Sequence, residues 1–180
     1  MKSNIVFMNN IPWADETWSP CGNATDTVPF NYKQKHPAGW ASGDNYYLLR
    51  MGDIVTLKAE AQNELGDLDG AKATLNLVRH RVNLPDVIAS TKEEMKNKIL
   101  LERRLELAFE AERWDDLMRA GVATDVMTSL KEYKYTCNEG APSDPIQIVY
   151  NCTHDKWLMP IPQAEIDANP NLVQNPGYGM

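Results

Sequence analysis

After residue 44 the chain alternates between hydrophobic and polar positions with the period of a helix. A first stripe predicts an amphipathic helix that packs through its apolar face, interrupted only by Lys58. The stripe consists of Tyr47, Met51, Ile54, Ala61 and Leu65. Gly66 is expected to end this helix, because glycine adopts the left-handed conformation of a helix C-terminus at little cost.

A second apolar seam follows at once, with steps of three and four residues. It consists of Leu68, Ala71, Leu75, Val78 and Val82. Asp67 is a suitable N-cap for this helix, and Asn83 and Pro85 are expected to stop it. Because the link between the two helices is very short, the pattern predicts an antiparallel helical hairpin.

The third predicted helix begins at Thr91, which forms a T-x-x-E capping box with Glu94. It is expected to run to about Glu112, with a bend or break before Trp114. A final helical stretch reaches Arg119 and is closed by Gly121.

The remaining segments show weaker patterns. Residues 1–43 have no sustained period and are rich in polar and proline residues, which predicts an irregular loop region rather than a helix or sheet. A weak helix is predicted over 124–131, and loops or short strands over 135–157. The closing sequence LMPIPQAEIDANPNLVQNPGY contains four prolines, which favour an extended segment docked on the helices with a short helix at 163–168. The pattern therefore separates an irregular region over 1–43 from a mainly helical region over 44–180.

The stretch Ile99–Arg119 carries most of the candidate chemistry. On a helical wheel Glu102, Glu106 and Glu110 line one face, whereas Arg104 lies among leucines on the other, so we predict that Arg104 is buried and paired with a carboxylate. Glycosidase chemistry needs two carboxylates that face each other across a cleft, but these glutamates project side by side. We therefore predict no catalytic residues. The predicted structural ion network consists of Glu102, Arg103, Arg104, Glu106, Glu110, Arg113 and Asp116.

Three tryptophans, Trp13, Trp18 and Trp40, lie in polar, loop-like sequence. Loop tryptophans stack on the apolar faces of sugar rings, but they also cover hydrophobic cores. Both interpretations stay open, and the first makes these residues the candidate ligand-binding site.

The composition narrows the function classes. The net charge of −7 argues against binding to a phosphate backbone, which requires a basic face. Cys21, Cys137 and Cys152 form no C-x-x-C pair, so we expect no structural zinc, and no phosphate-binding or dinucleotide motif predicts a cofactor. Cys137 and Cys152 flank a loop and are either free thiols or a disulfide.

Two long motifs resemble the C-terminal part of the SusD/RagB family. The helix ILLERRLELAFEAERWDDLMRAG is similar to the family's E-R-R-x-E-L-x-F-E-G-x-R-W-x-D-L-x-R signature, with Ala111 where the family usually has glycine. The closing sequence is similar to the family's L-P-I-P-x-x-E-I-x-x-N-P-x-L-x-Q-N-P-G-Y. The sequence LLRMGDIVTLKAEAQNELGD looks like the family's last tetratricopeptide-like hairpin. The resemblance covers residues 44–178 in the family's order.

The resemblance implies an outer-membrane surface lipoprotein that binds oligosaccharides, or sometimes peptides. It implies delivery of the ligand to a SusC-like TonB-dependent transporter, with no enzymatic step. The implied fold is all-α, with tetratricopeptide-like hairpins that support long irregular loops carrying the ligand site. The runner-up interpretation is a tetratricopeptide-type scaffold that binds another protein.

Family members are far longer and begin with a lipoprotein signal and an acylated cysteine. Cys21 lacks the preceding apolar run, so we do not assign it as the lipidated residue. We expect this chain to be part of a longer protein. A helical stack cut from a longer one leaves an apolar face open, which predicts self-association through that face.

Overall fold

The computed structural model describes residues 5–7, 29–33, 47–134, 137–138, 141–142 and 146–178. They form six α-helices and three short two-stranded antiparallel sheets, so the predicted all-α class is confirmed. The chain divides into two compact units, residues 1–113 and 114–180. The predicted domain boundary at residue 44 stays a prediction.

In the first unit, β1 (Ile5–Phe7) pairs with β2 (Pro29–Asn31) in antiparallel register. The prediction that residues 1–43 contain no sheet is therefore wrong at these positions. Each strand has only three residues, which is too short for the period-two pattern by which a strand is recognised in a sequence.

Helices α1 (Met51–Glu64) and α2 (Leu68–Arg81) form the predicted hairpin. Gly66 adopts a φ of 85°, and the Asp67 amide donates a 2.9 Å hydrogen bond to the Gln62 carbonyl, which closes the C-terminus of α1. The Asp67 side chain accepts from the Gly70 amide at 2.9 Å and caps α2. Both local signals in the sequence are confirmed.

The apolar stripe predicted to pack α1 lies on the wrong face. Met51 and Leu65 are 72% and 87% exposed. The buried residues of α1 are Asp53, Thr56, Ala59 and Asn63. Most groups of this polar face find partners: the Thr56 hydroxyl donates to the Gly52 carbonyl at 2.9 Å, and Asn63 Nδ2 donates to the Lys92 carbonyl at 3.0 Å, whereas Asn63 Oδ1 is buried without a hydrogen bond.

The seam predicted for α2 is confirmed at Ala71, Leu75 and Val78, which are buried. Val82 lies just beyond the end of the helix and is 48% exposed, so its place in the seam is wrong. The seam contributes to one small apolar cluster. That cluster consists of Ala59, Ala71, Leu75, Val87, Ala89, Met95 and Ile99.

Helix α3 (Lys92–Glu106) begins with the predicted capping box. It ends six residues earlier than predicted, at a turn in which Phe109 and Ala111 have φ angles of 68° and 67°. The expected break before Trp114 is present, and it precedes α4 (Arg113–Arg119).

The second unit holds α5 (Ala123–Ser129) and α6 (Gln163–Ala168), close to the predicted 124–131 and 163–168. Strand β3 (Glu132–Lys134) pairs with β6 (Ile146–Ile148), and β4 (Cys137–Asn138) pairs with β5 (Ala141–Pro142). The prediction of short strands in this region is confirmed.

The proline-rich C-terminal segment folds back on itself. The Gln174 side chain accepts from the Ile161 amide at 2.8 Å and donates to the Ile161 carbonyl at 2.9 Å. The Asn175 side chain donates to the Met159 carbonyl at 2.7 Å. Just before this segment, the Trp157 indole donates to the Thr124 hydroxyl at 3.0 Å. Docking of the segment on α1–α3 stays a prediction.

Among the helices that the structure describes, none is long and apolar enough to cross a membrane.

Candidate functional site

The charged face of α3 carries buried ion pairs that join this helix to α2 and α1. Glu102 is 5% exposed, and its Oε2 accepts from Arg79 Nη1 on α2 at 2.5 Å. Because a buried carboxylate is costly without a partner, this pair fixes α3 against α2.

The side chain of Arg103 extends from α3 to α1, and the residue is only 1% exposed. Its Nη1 donates to Asp53 Oδ1 and to Thr56 Oγ1, each at 2.8 Å, and lies 3.3 Å from the Asp53 carbonyl oxygen. The buried polar face of α1 therefore accommodates the guanidinium.

Arg104 is exposed, so the prediction that it is the buried arginine is wrong. One residue corresponds to about 100° of rotation around a helix. The prediction requires the leucine face of α3 to pack on the core, but Leu101 and Leu105 are 50% and 56% exposed. The polar face packs inward because α1 offers Asp53 to it.

Glu106 and Glu110 share a cluster of cations at the end of α3. Arg50 donates from Nη1 to Glu106 Oε1 at 2.5 Å, and from Nε to Glu110 Oε2 at 2.6 Å. Arg81 donates to both carboxylate oxygens of Glu106, at 2.8 and 2.7 Å. Lys33 forms an ion pair with Glu110. Three separate segments therefore meet at these two glutamates.

The same cations satisfy backbone groups at the helix end. Arg50 Nη2 and Lys33 Nζ each donate to the Glu106 carbonyl at 2.5 Å, and Lys33 Nζ lies 3.4 Å from the Ala108 carbonyl oxygen. The last carbonyls of a helix have no partner within the helix and carry partial negative charge. Positive side chains at this position are therefore stabilising.

Burial and hydrogen bonding shift the pKa values of Arg50 and Glu110 in opposite directions. Burial by itself lowers the pKa of Arg50, but its hydrogen bonds to Glu110 and Glu106 outweigh this and leave the pKa raised. Burial by itself raises the pKa of Glu110, but the hydrogen bonds from Arg50 and Lys33 outweigh this and leave it lowered. Both groups therefore stay charged at neutral pH.

Beside this cluster lies a shallow depression. Its lining combines charged residues with exposed leucines, of which Leu48 is 89% exposed. The lining residues are Tyr47, Leu48, Leu49, Arg50, Asp53, Leu107, Glu110 and Glu112. Within the described ranges, no group of three or more His, Cys, Asp or Glu side chains is placed to hold a metal ion.

Two further residues of the predicted network belong to α4. Asp116 is 2% exposed, and its Oδ1 accepts from Arg119 Nη2 at 2.8 Å. Arg113 begins α4 and is half-buried.

Sequence reasoning missed four cations and one acid in the network. These are Lys33, Arg50, Arg79, Arg81 and Asp53. A signal for Asp53 was present in the sequence, because Asp53, Thr56 and Asn63 recur at helical spacing as a second stripe on α1.

The candidate ligand residues Trp13, Trp18 and Trp40 lie outside the described residues, and their role stays a prediction. Cys152 is a half-buried free thiol; the side chain of Cys137 lies outside the described residues, so a disulfide between the two stays open.

Comparisons with known proteins agree on one family. The model of the SusD family matches residues 1–178. Two curated SusD-like proteins of Formosa agariphila are similar to this chain, at 34% identity over 143 residues and 31% over 150 residues. These alignments cover 74% and 78% of the chain but only 25% and 27% of the relatives.

Solved structures show the same fold. A SusD-like protein from Bacteroides fragilis aligns with a TM-score of 0.71 at 24% identity, over 97% of this chain and 38% of its own. A SusD superfamily protein from Bacteroides vulgatus aligns with a TM-score of 0.63 at 26% identity, over 83% of this chain and 32% of its own. The chain thus spans about a third of these structures.

Proposed function

We propose, from the premise that this chain belongs to the SusD family, that its protein captures oligosaccharides at the cell surface. The captured ligand would pass to a SusC-like TonB-dependent transporter in the outer membrane, with no chemical step. The match of the family model over residues 1–178 is the observation that carries the proposal. Co-purification of the protein with such a transporter, together with uptake of labelled oligosaccharide, tests the delivery step.

The geometry of α3 supports a binding role over a glycosidase. A general acid in glycoside hydrolysis needs a raised pKa, whereas the pKa of Glu110 is lowered by its cations. Glu102 and Glu106 are likewise held by arginines. If the wild-type protein hydrolysed an oligosaccharide and the Glu106→Gln variant did not, this part of the proposal would be contradicted.

Oligosaccharide binding is proposed to depend on Trp13, Trp18 and Trp40. Each indole presents a flat apolar face to a sugar ring, and aromatic anchors dominate binding energy where they are buried by a ligand. We expect replacement of any one contacting tryptophan by alanine to weaken binding by at least about fivefold in isothermal titration calorimetry.

A matched control is Tyr150→Ala, which removes an aromatic ring that is not proposed to bind ligand. It should leave the affinity unchanged. Wild-type affinity in all three tryptophan variants would remove these residues from the site.

The exposed apolar face of α1 favours a second candidate, a scaffold that binds protein. Met51, Ile54 and Leu65 lie on this face and are 72%, 45% and 87% exposed. A scaffold should bind a peptide through the helices and should keep that affinity when residues 1–43 are removed. If the chain instead binds oligosaccharides through the tryptophans, the same deletion should abolish its affinity for the oligosaccharide.

A further inference from the structure

Asp69 and Gly70 lie in the first turn of α2, directly after the turn that joins α1 to α2. The side chain of Asp69 is 96% exposed, and its one listed neighbour is Lys72 Nζ, 3.3 Å from Oδ1. The chain contains a single Asp-Gly pair and no Asn-Gly pair. Because glycine has no side chain to shield its nitrogen, this pair is the position where attack of a main-chain nitrogen on the preceding carboxyl carbon meets least steric resistance.

The cap of α2 requires glycine at position 70. A Cβ atom at Gly70 would lie 2.0 Å from Asp67 Oδ2 and 2.6 Å from Gln62 Nε2. Gln62 Nε2 in turn donates to Asp67 Oδ2 at 3.2 Å, so both side chains occupy the space that a larger residue would need. The arrangement that caps the helix therefore also retains the reactive Asp-Gly pair.

The same cap holds the nitrogen that would react. The Gly70 amide donates to Asp67 Oδ1 at 2.9 Å. A five-membered ring through Asp69 Cγ and the Gly70 nitrogen is incompatible with the helical ψ of Asp69, so the ring closes only when the first turn opens. Helix ends open locally more readily than helix centres, and an N-cap side chain opposes this opening.

The reaction needs no partner other than water. After the Asp69 carboxylate takes up a proton from solvent, the Gly70 nitrogen bonds to Asp69 Cγ, and the amide proton and the carboxyl hydroxyl leave as one water molecule. Water then opens the cyclic imide. Attack at the original main-chain carbonyl of Asp69 leaves the peptide bond on Cγ and a free carboxylate on Cα, with no net change in mass.

We propose that Asp69 is a site of spontaneous isoaspartate formation and that the Asp67 cap limits its rate. The product inserts one additional carbon atom into the main chain between Leu68 and Gly70. The hydrogen bond from the Ala71 amide to the Asp67 carbonyl, now 3.0 Å, spans this position and cannot keep its geometry. The modification therefore opens the first turn of α2. This proposal does not depend on what the protein binds.

Prolonged incubation of the full chain at physiological temperature tests the site. An Asp-specific endoproteinase does not cleave before isoaspartate, and liquid chromatography with mass spectrometry separates the two forms of the Asp69 peptide at equal mass. We expect isoaspartate to accumulate at Asp69. Exposed Asp167 in α6, which precedes an alanine, should form much less in the same sample. Asp69→Glu should abolish the product, because its closure would need a six-membered ring.

Variants of the cap test the control of the rate. We expect Asp67→Ala to accelerate the reaction about fivefold, because loss of an N-cap shifts the first turn towards its open form. Asp67→Asn keeps an acceptor oxygen and should react at close to the wild-type rate. Thr91→Ala is the matched control: it removes the cap of α3, where Thr91 Oγ1 accepts from the Glu94 amide at 3.1 Å, without touching Gly70. It should leave the rate at Asp69 unchanged.

Equal amounts of isoaspartate at Asp69 and Asp167 in the wild type would overturn the site, as would its absence from Asp69 in both the wild type and Asp67→Ala. Equal rates in the wild type and Asp67→Ala, or equal acceleration by Thr91→Ala, would overturn the role of the cap. If Asp67→Ala does not fold, Asp67→Gly replaces it in the comparison, with a smaller acceleration expected because glycine is a tolerated N-cap.

Discussion

The buried pair between Arg103 and Asp53 should be the most sensitive point of the first unit. Arg103 is 1% exposed and Asp53 is 4% exposed, so neither charge can regain water if its partner is removed. We predict that Arg103→Met lowers the free energy of unfolding by about 3–5 kcal/mol, the usual cost of breaking a buried ion pair. A typical domain is stable by only about 5–15 kcal/mol, so the loss should be visible at once.

The magnitude follows from the contacts of one nitrogen atom. Arg103 Nη1 donates to Asp53 Oδ1 and Thr56 Oγ1 at 2.8 Å each. Hydrogen bonds to charged groups contribute about 1.5–3 kcal/mol each, and the abandoned carboxylate adds its own desolvation penalty. The cost of removing one partner is larger than the net contribution of the ion pair to stability. Replacing both partners by apolar residues of similar size is often nearly neutral. The double variant Asp53→Leu/Arg103→Met should therefore recover most of the loss.

Urea unfolding followed by far-UV and near-UV circular dichroism measures these differences, and coincident transitions check the two-state assumption. Arg104→Met is the matched control, since it removes the same side chain from the exposed neighbouring position and should change stability by less than about 0.5 kcal/mol. Indistinguishable midpoints for Arg103→Met and Arg104→Met would refute the assignment of the buried arginine. A double variant less stable than Arg103→Met would refute the account of the penalty.

Three further predictions concern other parts of the first unit. Ala111→Gly should stabilise the chain by up to about 1 kcal/mol in urea unfolding, because glycine adopts a φ of 67° without strain. Ala73→Gly, at an exposed position of α2, should instead destabilise it by about 0.5–1 kcal/mol, and the same sign for both variants would contradict the strain. The pKa of Glu110 in the folded chain is lowered from 4.5, so its ionised form should stabilise the fold fully above pH 4.5. This stabilisation should disappear as the pH falls through the pKa of the folded state. A loss of stability in Glu110→Gln that does not change with pH would exclude this. The exposed apolar face of α1 should cause the wild type to self-associate at high concentration, which light scattering measures. Met51→Lys or Leu65→Lys should reduce this association. A wild type that stays a monodisperse monomer would count against it.

Local signals in the sequence predicted local structure well. The glycine turn at Gly66, the cap at Asp67 and the box formed by Thr91 and Glu94 are all present. Each depends on contacts between residues at most a few positions apart, so the sequence window contains both partners. The family signature was recognisable for a related reason, because its residues are consecutive along one stretch of chain.

The buried faces of α1 and α3 could not be predicted from either helix alone. A polar face is buried only if another element satisfies it, and the partner of Arg103 lies fifty residues away in α1. The position of the leucines alone therefore predicts Arg104, and not Arg103, as the buried arginine. The early end of α3 was hidden for a different reason, since Ala111 has high helix propensity and only the family's glycine at that position indicated a left-handed residue.

The placement of α3 depends on directional contacts more than on apolar burial. Among the described residues, the large side chains that are fully buried include Leu75, Met95 and Ile99, but also the polar or charged Arg103, Asn63, Thr56 and Asp116. Apolar contacts are non-directional and tolerate rotation of a helix, whereas the bonds of Arg103 to α1 admit one orientation. The same orientation places the Glu106 carboxylate within reach of Arg50 and Arg81, so the buried pair of Arg103 also positions the ion pairs at the end of α3.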